Sequence, residues 1–245
     1  MNQVPFTFAG QEFVIVDGTA LWWPERQLLL VADLHFEKAS WFAMKGQMLP
    51  PYDSAATIAR LARIAAEIGA AHIYCLGDNF HDDAGVGRLS SAAHDQIAYL
   101  VAHHDLQWIT GNHDPALERA VPGRVHREAK IGPLMLRHQA EDPLTGIELS
   151  GHFHPKARIR AAGRIISRPC FIAAEQAAHD GRHLGRIILP AFGALTGGLD
   201  AGSDAIAALF PAGYRALVPT ASRLLQFEFA VAESAESAQF SLWHK

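Results

Sequence analysis

Leu28-Leu29-Leu30-Val31-Ala32-Asp33-Leu34-His35 runs five apolar residues straight into an acid and an imidazole two positions apart. A short apolar run stopped by polar residues predicts a buried strand. The spacing of Asp33 and His35 puts both side chains on one face of an extended segment. The same grammar recurs twice downstream. Residues 72–76 (HIYCL) run into Gly77-Asp78-Asn79-Phe80-His81-Asp82, and residues 106–110 (LQWIT) into Gly111-Asn112-His113-Asp114. Between these runs the spacing turns helical. Ile58, Leu61, Ile64 and Ile68 predict a helix over 53–68, with Asp53 or Ser54 as cap and Gly69 as stop, and a second helix is expected over 92–102. Strand, helix, strand in repetition predicts a largely parallel sheet whose carboxyl ends form one rim, where ligands bind. Asp, His and Asn side chains therefore meet at a shared edge.

Upstream, residues 13–16 form another expected strand, joined to the first by a loop carrying Trp22, Trp23 and Pro24. These tryptophans are read as packing residues rather than as surfaces for bases. Downstream, short runs at Val125, 134–137, 147–150, 165–172 and 186–189, broken by Gly, Pro or charged turns, predict a strand-rich half packed as a second sheet. Two of these runs end in His138 and in Gly151-His152-Phe153-His154-Pro155, where the two-residue spacing recurs. The glycines before Asp78, Asn112 and His152 are expected to let the backbone turn off each strand. No linker separates the halves, so residues 1–245 are expected to form one domain. After residue 197 the pattern is uneven: a strand is expected over 224–229, and residues 231–245 are polar enough to fray.

With 245 residues, 49% of them apolar, the chain can bury a sizeable core. Lys plus Arg total 21 against 25 Asp plus Glu, and the balance of −4 excludes a bulk basic surface for phosphate binding. Nine of the 21 basic residues nevertheless fall within 124–168 (Arg124, Arg127, Lys130, Arg137, Lys156, Arg158, Arg160, Arg164 and Arg168), which allows a local basic rim. Two cysteines, Cys75 and Cys170, exclude a disulfide scaffold or a Cys-rich zinc module and are read as core. No apolar run is long enough to span a bilayer, and residues 1–10 lack the features of a secretory peptide. A cytoplasmic protein without a membrane contact is expected. Histidine, at 14 residues, is in surplus. Of these, His94, His103, His104, His179, His183 and His244 are read as surface or packing.

Carboxylate and imidazole together suit divalent ions such as Mn²⁺, Fe²⁺ or Zn²⁺, and the carboxylate of Asp78 has the two oxygens needed to bridge a pair of them. The ordered series Asp33-x-His35, Gly77-Asp78, Gly111-Asn112-His113-Asp114, His138, Gly151-His152-x-His154 resembles the calcineurin-like metallophosphoesterase superfamily, with the signature spanning 33–154. Residues 31–38, 46–50, 76–82, 189–193 and 196–198 resemble one bacterial branch of it, the ligase-associated DNA damage response endonucleases. The resemblance implies an α/β fold: a two-sheet sandwich flanked by helices, with a dinuclear metal site at the strand ends. It implies that Asp33, His35 and His154 hold one metal, Asn112, His138 and His152 the other, and that Asp78 bridges them, with Mn²⁺ the expected ion. His113 would face the scissile phosphate as acid or transition-state donor, Asp114 would orient its ring, and a hydroxide between the ions would attack. Two divalent ions (+4), Asp33 and Asp78 (−2) and a hydroxide (−1) leave about +1, enough to draw a phosphate to an acidic protein. The branch also implies DNA as substrate, a role in DNA repair, and association with a DNA ligase and a helicase.

One position departs from the pattern. Gln139 follows His138 where many superfamily members have Gly, which leaves His126 as a rival ligand. Lys38 and Arg88 are weighed as phosphate contacts against plain solvated charges, and His81 and Asp82 as loop residues reaching the site. The competing functions are a small-molecule nucleotide phosphodiesterase or phosphatase, and a noncatalytic protein-binding module on the same fold.

Overall fold

The computed structural model describes residues 1–117, 121–161, 163–177 and 183–230. The expectations for 231–245, His179 and His244 fall outside the described residues. Two seven-stranded mixed sheets dominate. The first runs in chain order: β1 (Gln3–Phe8), β2 (Gln11–Val16), β3 (Ala20–Trp23), β4 (Leu28–Val31), β5 (His72–Leu76), β6 (Asp105–Ile109) and β7 (Arg124–His126). Strands β1 to β4 are antiparallel, and β4 to β7 are parallel, as the alternation with helices requires.

The second sheet contains β8 (Glu128–Ile131), β9 (Leu134–Arg137), β10 (Ile147–Ser150), β13 (Phe171–Ala177), β14 (His183–Ile188), β15 (Tyr214–Pro219) and β16 (Leu224–Phe229). Its order is β16-β15-β13-β14-β10-β9-β8, with β9, β10 and β14 parallel. A separate antiparallel pair, β11 (Lys156–Ala161) and β12 (Arg164–Pro169), projects between β10 and β13.

Strand β4 shows how the layers are made. Leu29 and Val31 join Ile73, Cys75, Leu106 and Trp108 under α2 (Asp53–Ile68) and α3 (Ser91–His103). Leu28 and Leu30 point the other way, into the core between the sheets, beside Leu76, Ile109, Leu136, Leu149 and Ile187. All four β4 residues are buried, so this central strand reads as a continuous apolar run rather than an alternating one. Each such side chain contributes roughly 1.5–3 kcal/mol of burial. A third cluster, with Ile172, Ile188 and Ala216 against Ile206 and Phe210, covers the outer face of the second sheet.

Several local expectations change. Residues 20–23 form β3, not a loop, and Trp22 and Trp23 are buried as packing residues. The apolar run 165–172 is two strands in different sheets, β12 ending at Pro169 and β13 starting at Phe171. Gly69 does end α2, at φ 67°. Neither Asp53 nor Ser54 caps that helix. Asp53 accepts from the N–H of Ala39 (3.0 Å) at the start of α1 (Lys38–Met44), and Ser54 accepts from the N–H of Glu37 (2.8 Å). Cys75 and Cys170 are core, with burial pushing both thiols up. Among the described residues no helix is long and apolar enough to cross a membrane.

Candidate metal centre

The parallel strands β4, β5 and β6 deliver their carboxyl-terminal loops to one rim, and β9 and β10 deliver theirs to the facing rim. The loops are laced together past the strand ends. His35 N–H donates to the Asp78 carbonyl (2.9 Å), Phe36 N–H to the Asn79 carbonyl (2.8 Å), and Gly151 N–H to the His138 carbonyl (2.8 Å). A bridge between Ala32 and Ala191 joins the two sheets beside Asp33.

Two groups of donors converge there. Asp33, His35 and His154 form one; Asp78, His138 and His152 form the other, with ligand atoms in each within 4.8 Å of one another. Asp78 faces both groups: Oδ2 lies 3.9 Å from His35 Nε2, and Oδ1 lies 3.4 Å from His138 Nε2. Asn112 sits beside the second group, with Oδ1 3.0 Å from His138 Nε2. His126 is elsewhere, on β7 with Nε2 2.6 Å from the Gln107 carboxamide, so the geometry brings in His138 and leaves out its rival.

The donor set fits cations. His138 donates Nδ1–H to the Leu76 carbonyl (3.1 Å), so any lone pair this ring offers sits on Nε2. That lone pair faces Asn112 Oδ1 and Asp78 Oδ1, neither of which donates, and His152 Nδ1 at 3.1 Å. In the other group His154 Nε2 is 3.3 Å from both Asp33 Oδ1 and His35 Nε2, and buried His35 Nδ1 has no hydrogen-bond partner. Lone pairs gathered this closely in a partly buried rim would be satisfied together by a divalent ion. Burial first, then neighbouring positive charge, lowers the pKa of His35 to about 2, and burial with His138 lowers that of His152. Both rings are therefore neutral near pH 7, the form that binds metal.

The backbone is bent to present these side chains. Asp33, His35, Asp78, His152 and His154 all have positive φ, between 45° and 73°. Such conformations cost of order 1–3 kcal/mol each and persist only where the surroundings hold them. The glycines act mainly through space, not by turning. Gly77 does have φ 78°, but Gly111 and Gly151 have ordinary φ. A Cβ on Gly111 would overlap the backbone N and Oδ1 of Asp78, and one on Gly151 would lie 2.5 Å from Asp33 Oδ2.

His113 stands over the cleft with its side chain 39% exposed, and Nε2 is 4.0 Å from Asp78 Oδ2. Its Nδ1 donates to the carbonyl of His81 (2.9 Å). Asp114 does not orient this ring. Its carboxylate turns inward, accepting from Gly111 N–H (2.7 Å), Asn79 N–H (2.8 Å), the Asn79 amide (2.9 Å) and Phe80 N–H (3.2 Å). Nor does its carboxylate cap the turn starting at Pro115, where Asp83 accepts from the N–H of Ala116. Sequence reasoning missed the roles of the His81 carbonyl and Asn79. Asn79 lies within the Gly-Asp-Asn block, but its partners, Ile109 and Asp114, are 30 and 35 residues away.

The flanking candidates are placed as follows. The His81 ring stacks on His113 (centroids 5.1 Å apart) and packs edge-on against Trp41; burial and the nearby charge of Lys38 lower its pKa to about 4. Arg88 pairs with Asp82 and donates to Ser40 (2.9 Å), so its guanidinium ties the loop to α1. Burial lowers the pKa of Lys38, with Asp53 opposing the shift and Lys156 adding to it.

The fold and the donor set define the class: an α/β sandwich of the metallophosphoesterase type, with two candidate metal-binding groups at the shared rim. The chain belongs to the calcineurin-like phosphoesterase family, whose model matches residues 26–159. The crystal structure of Pseudomonas putida nuclease MPE is similar at 28% identity, over 89% of this chain and 96% of that one, with a TM-score of 0.66. More distant are a phosphoesterase from E. coli, Yfce (12% identity, 85% and 94% covered, TM-score 0.37), and Vacuolar Protein Sorting 29 from Cryptosporidium parvum (13%, 89% and 97%, 0.31). No curated protein sequence matches the chain. Family membership supports hydrolysis of a phosphoester.

Proposed function

We propose that the protein is a metal-dependent phosphodiesterase acting on nucleic acid, a DNA endonuclease. The observation that carries this reading is the pair of carboxylate–imidazole groups sharing Asp78, with His113 exposed above them. Asp33, His35 and His154 would hold one ion, Asn112, His138 and His152 a second, and Asp78 both. Bound there, divalent ions would polarise the phosphate oxygens and lower the pKa of a water, as phosphodiester hydrolysis needs.

The chain's own residues supply the rest. With His113 Nδ1–H committed to the His81 carbonyl, Nε2 is the nitrogen that faces the cleft. Protonated, it donates to the leaving oxygen. Asp114 keeps the loops of Asp78 and His113 in register, and Asp78 Oδ1 accepts the His113 backbone N–H (2.9 Å). Nucleic acid as substrate is supported by the nuclease relative at 28% identity, which spans most of both chains. Mn²⁺ as the ion, a role in DNA repair, partnership with a DNA ligase and a helicase, and a cytoplasmic location extend from the branch resemblance. The test is cleavage of linear DNA, circular plasmid and a chromogenic diester by purified protein with added Mn²⁺. Plasmid cleavage is expected. Plasmid left intact while a mononucleotide is hydrolysed would favour the small-molecule enzyme. Absence of bound metal and of any turnover would favour the noncatalytic module.

A further inference from the structure

The basic residues of 124–168 do not form one surface. Arg137 is largely buried among Glu128, Glu141 and Glu148, and Arg124 pairs with Asp105 at the far edge of the first sheet. Lys130 lies on β8, with Arg127 just before it, and the other five fall on the pair β11 and β12. Residues 156–169 contain five Lys or Arg and no Asp or Glu, in a chain of net charge −4. The hairpin starts two residues after His154, so its first cation borders the metal centre.

Its two faces differ. Ala157 is buried, and Ile159 packs against the outer cluster of the second sheet. Strand alternation then turns Lys156, Arg158 and Arg160 to the opposite, open face, with Pro169, Ser167 and Ile165 across from them. Ile165 is 66% exposed. Successive cations on this face are about 6.6 Å apart, so the row reaches about 13 Å outward from the site. The base of the hairpin is fixed to the body, since Lys156 N–H donates to the Leu199 carbonyl (2.8 Å) and Ala201 N–H to the Lys156 carbonyl (2.9 Å). The Lys156 ammonium reaches the Thr196 carbonyl (3.2 Å), and Arg158 pairs with Asp200 (3.1 Å) in an exposed contact of the kind that is weak in water. At the other end of the row, Lys156 and Lys38 are close enough for the charge of one to lower the pKa of the other.

We propose that the open face of β11–β12, carrying Lys156, Arg158 and Arg160, is a docking track for the phosphodiester backbone of a nucleic acid, leading it away from the scissile phosphate at His154. The occupant is a polyanion by charge complementarity. A nucleic acid fits better than an anionic membrane because the row is continuous with the candidate hydrolytic centre. The inference rests on the proposed function for its purpose, but its contact can be measured separately.

The test compares the full chain with the Arg158→Ala/Arg160→Ala variant, neither residue being part of the proposed catalytic set. Fluorescence anisotropy of a labelled oligonucleotide is followed across a salt series, and hydrolysis of a chromogenic diester is measured alongside. If both arginines neutralise phosphates, the slope of log K against log salt falls by about 1.4 to 1.8, while diester turnover is unchanged. An unchanged slope and affinity, no oligonucleotide binding by the unaltered protein, or binding of anionic vesicles in preference to oligonucleotide would overturn the track. Oligonucleotide bound through the arginines yet never cut would leave the track standing and overturn the nuclease. Cutting unaffected by the double variant would do the reverse.

Discussion

Asp114→Asn separates a carboxylate that steers His113 from one that ties two loops together. In the structure Oδ2 accepts from Asn79 N–H, the Asn79 amide and Phe80 N–H, while Oδ1 accepts from Gly111 N–H. An amide keeps one oxygen. If that oxygen takes the threefold position, its NH₂ faces the Gly111 N–H, donor against donor. One charge-assisted hydrogen bond is then lost and a backbone N–H is left unpaired, while the other three bonds lose the help of the charge. Losing a bond to a charged group costs about 1.5–3 kcal/mol, and stranding a buried donor about 1–3 more. Part of this is offset, because burial already raises the pKa of Asp114 and a neutral amide escapes that desolvation. A net loss of about 2–4 kcal/mol follows, or roughly 5–15 °C in Tm for a chain of this size. The assay is thermal melting of metal-free and Mn²⁺-loaded protein, with turnover of a chromogenic diester measured well below the melt. His113 keeps its His81 carbonyl in the variant, so turnover per folded, metal-loaded molecule should stay within a few-fold of the original. Melting like the unaltered protein, with turnover down by about 10²-fold or more, would refute this account and restore the carboxylate to the imidazole.

His113→Ala should keep its metal, by elemental analysis, and lose roughly 10²- to 10⁴-fold in turnover, the usual worth of a positioned acid. Asp78→Ala should instead lose metal, since its oxygens face both donor groups; equal metal loss in the two variants would contradict both roles. Gly111→Ala puts a Cβ onto Asp78 and should abolish metal binding with the circular dichroism spectrum largely intact, whereas normal metal content would mean that the loops have room to give. His35 and His152 have lowered pKa values in the folded state, so the unfolded chain takes up their protons first. Their contribution to the stability of the metal-free protein is complete above the unfolded value near pH 6.5 and is lost as pH falls below it. Urea melts of metal-free protein should show that loss between about pH 7.5 and pH 5.5, and the His35→Gln/His152→Gln variant should show less of it. Identical slopes in the two proteins would exclude these rings as its source.

The parts of the site legible in the sequence are those whose information is local. Asp33, His35, Asp78, Asn112, His152 and His154 each follow an apolar run that could only be a strand, and parallel pairing carries their loops to a common rim. The strand Ala20–Trp23 is as fully buried as Leu28–Val31, but it escaped because its apolar run sits between Gly18 and Pro24, turn signals that read as a loop. The exposed pair β11–β12 escaped for a different reason: Ile165 and Ile166 look like core, and only the register with Arg160 and Ile159 shows that one of them faces water. Two carboxylates at chain positions that favour capping bond elsewhere, for one shared cause. Asp53 stands at a helix start and Asp114 just before a Pro, where a cap is the local expectation, yet both carboxylates bond elsewhere. Asp53 goes to the N–H of Ala39, which opens another helix, and Asp114 to three N–H groups of the Asn79 and Phe80 loop. Water can satisfy an exposed helix end but not a donor shut inside the sandwich. A carboxylate within reach of both is worth more at the buried donor, and that choice depends on a partner 14 residues away in one case and about 35 in the other. Local propensity names the acids, and burial decides which donor they serve.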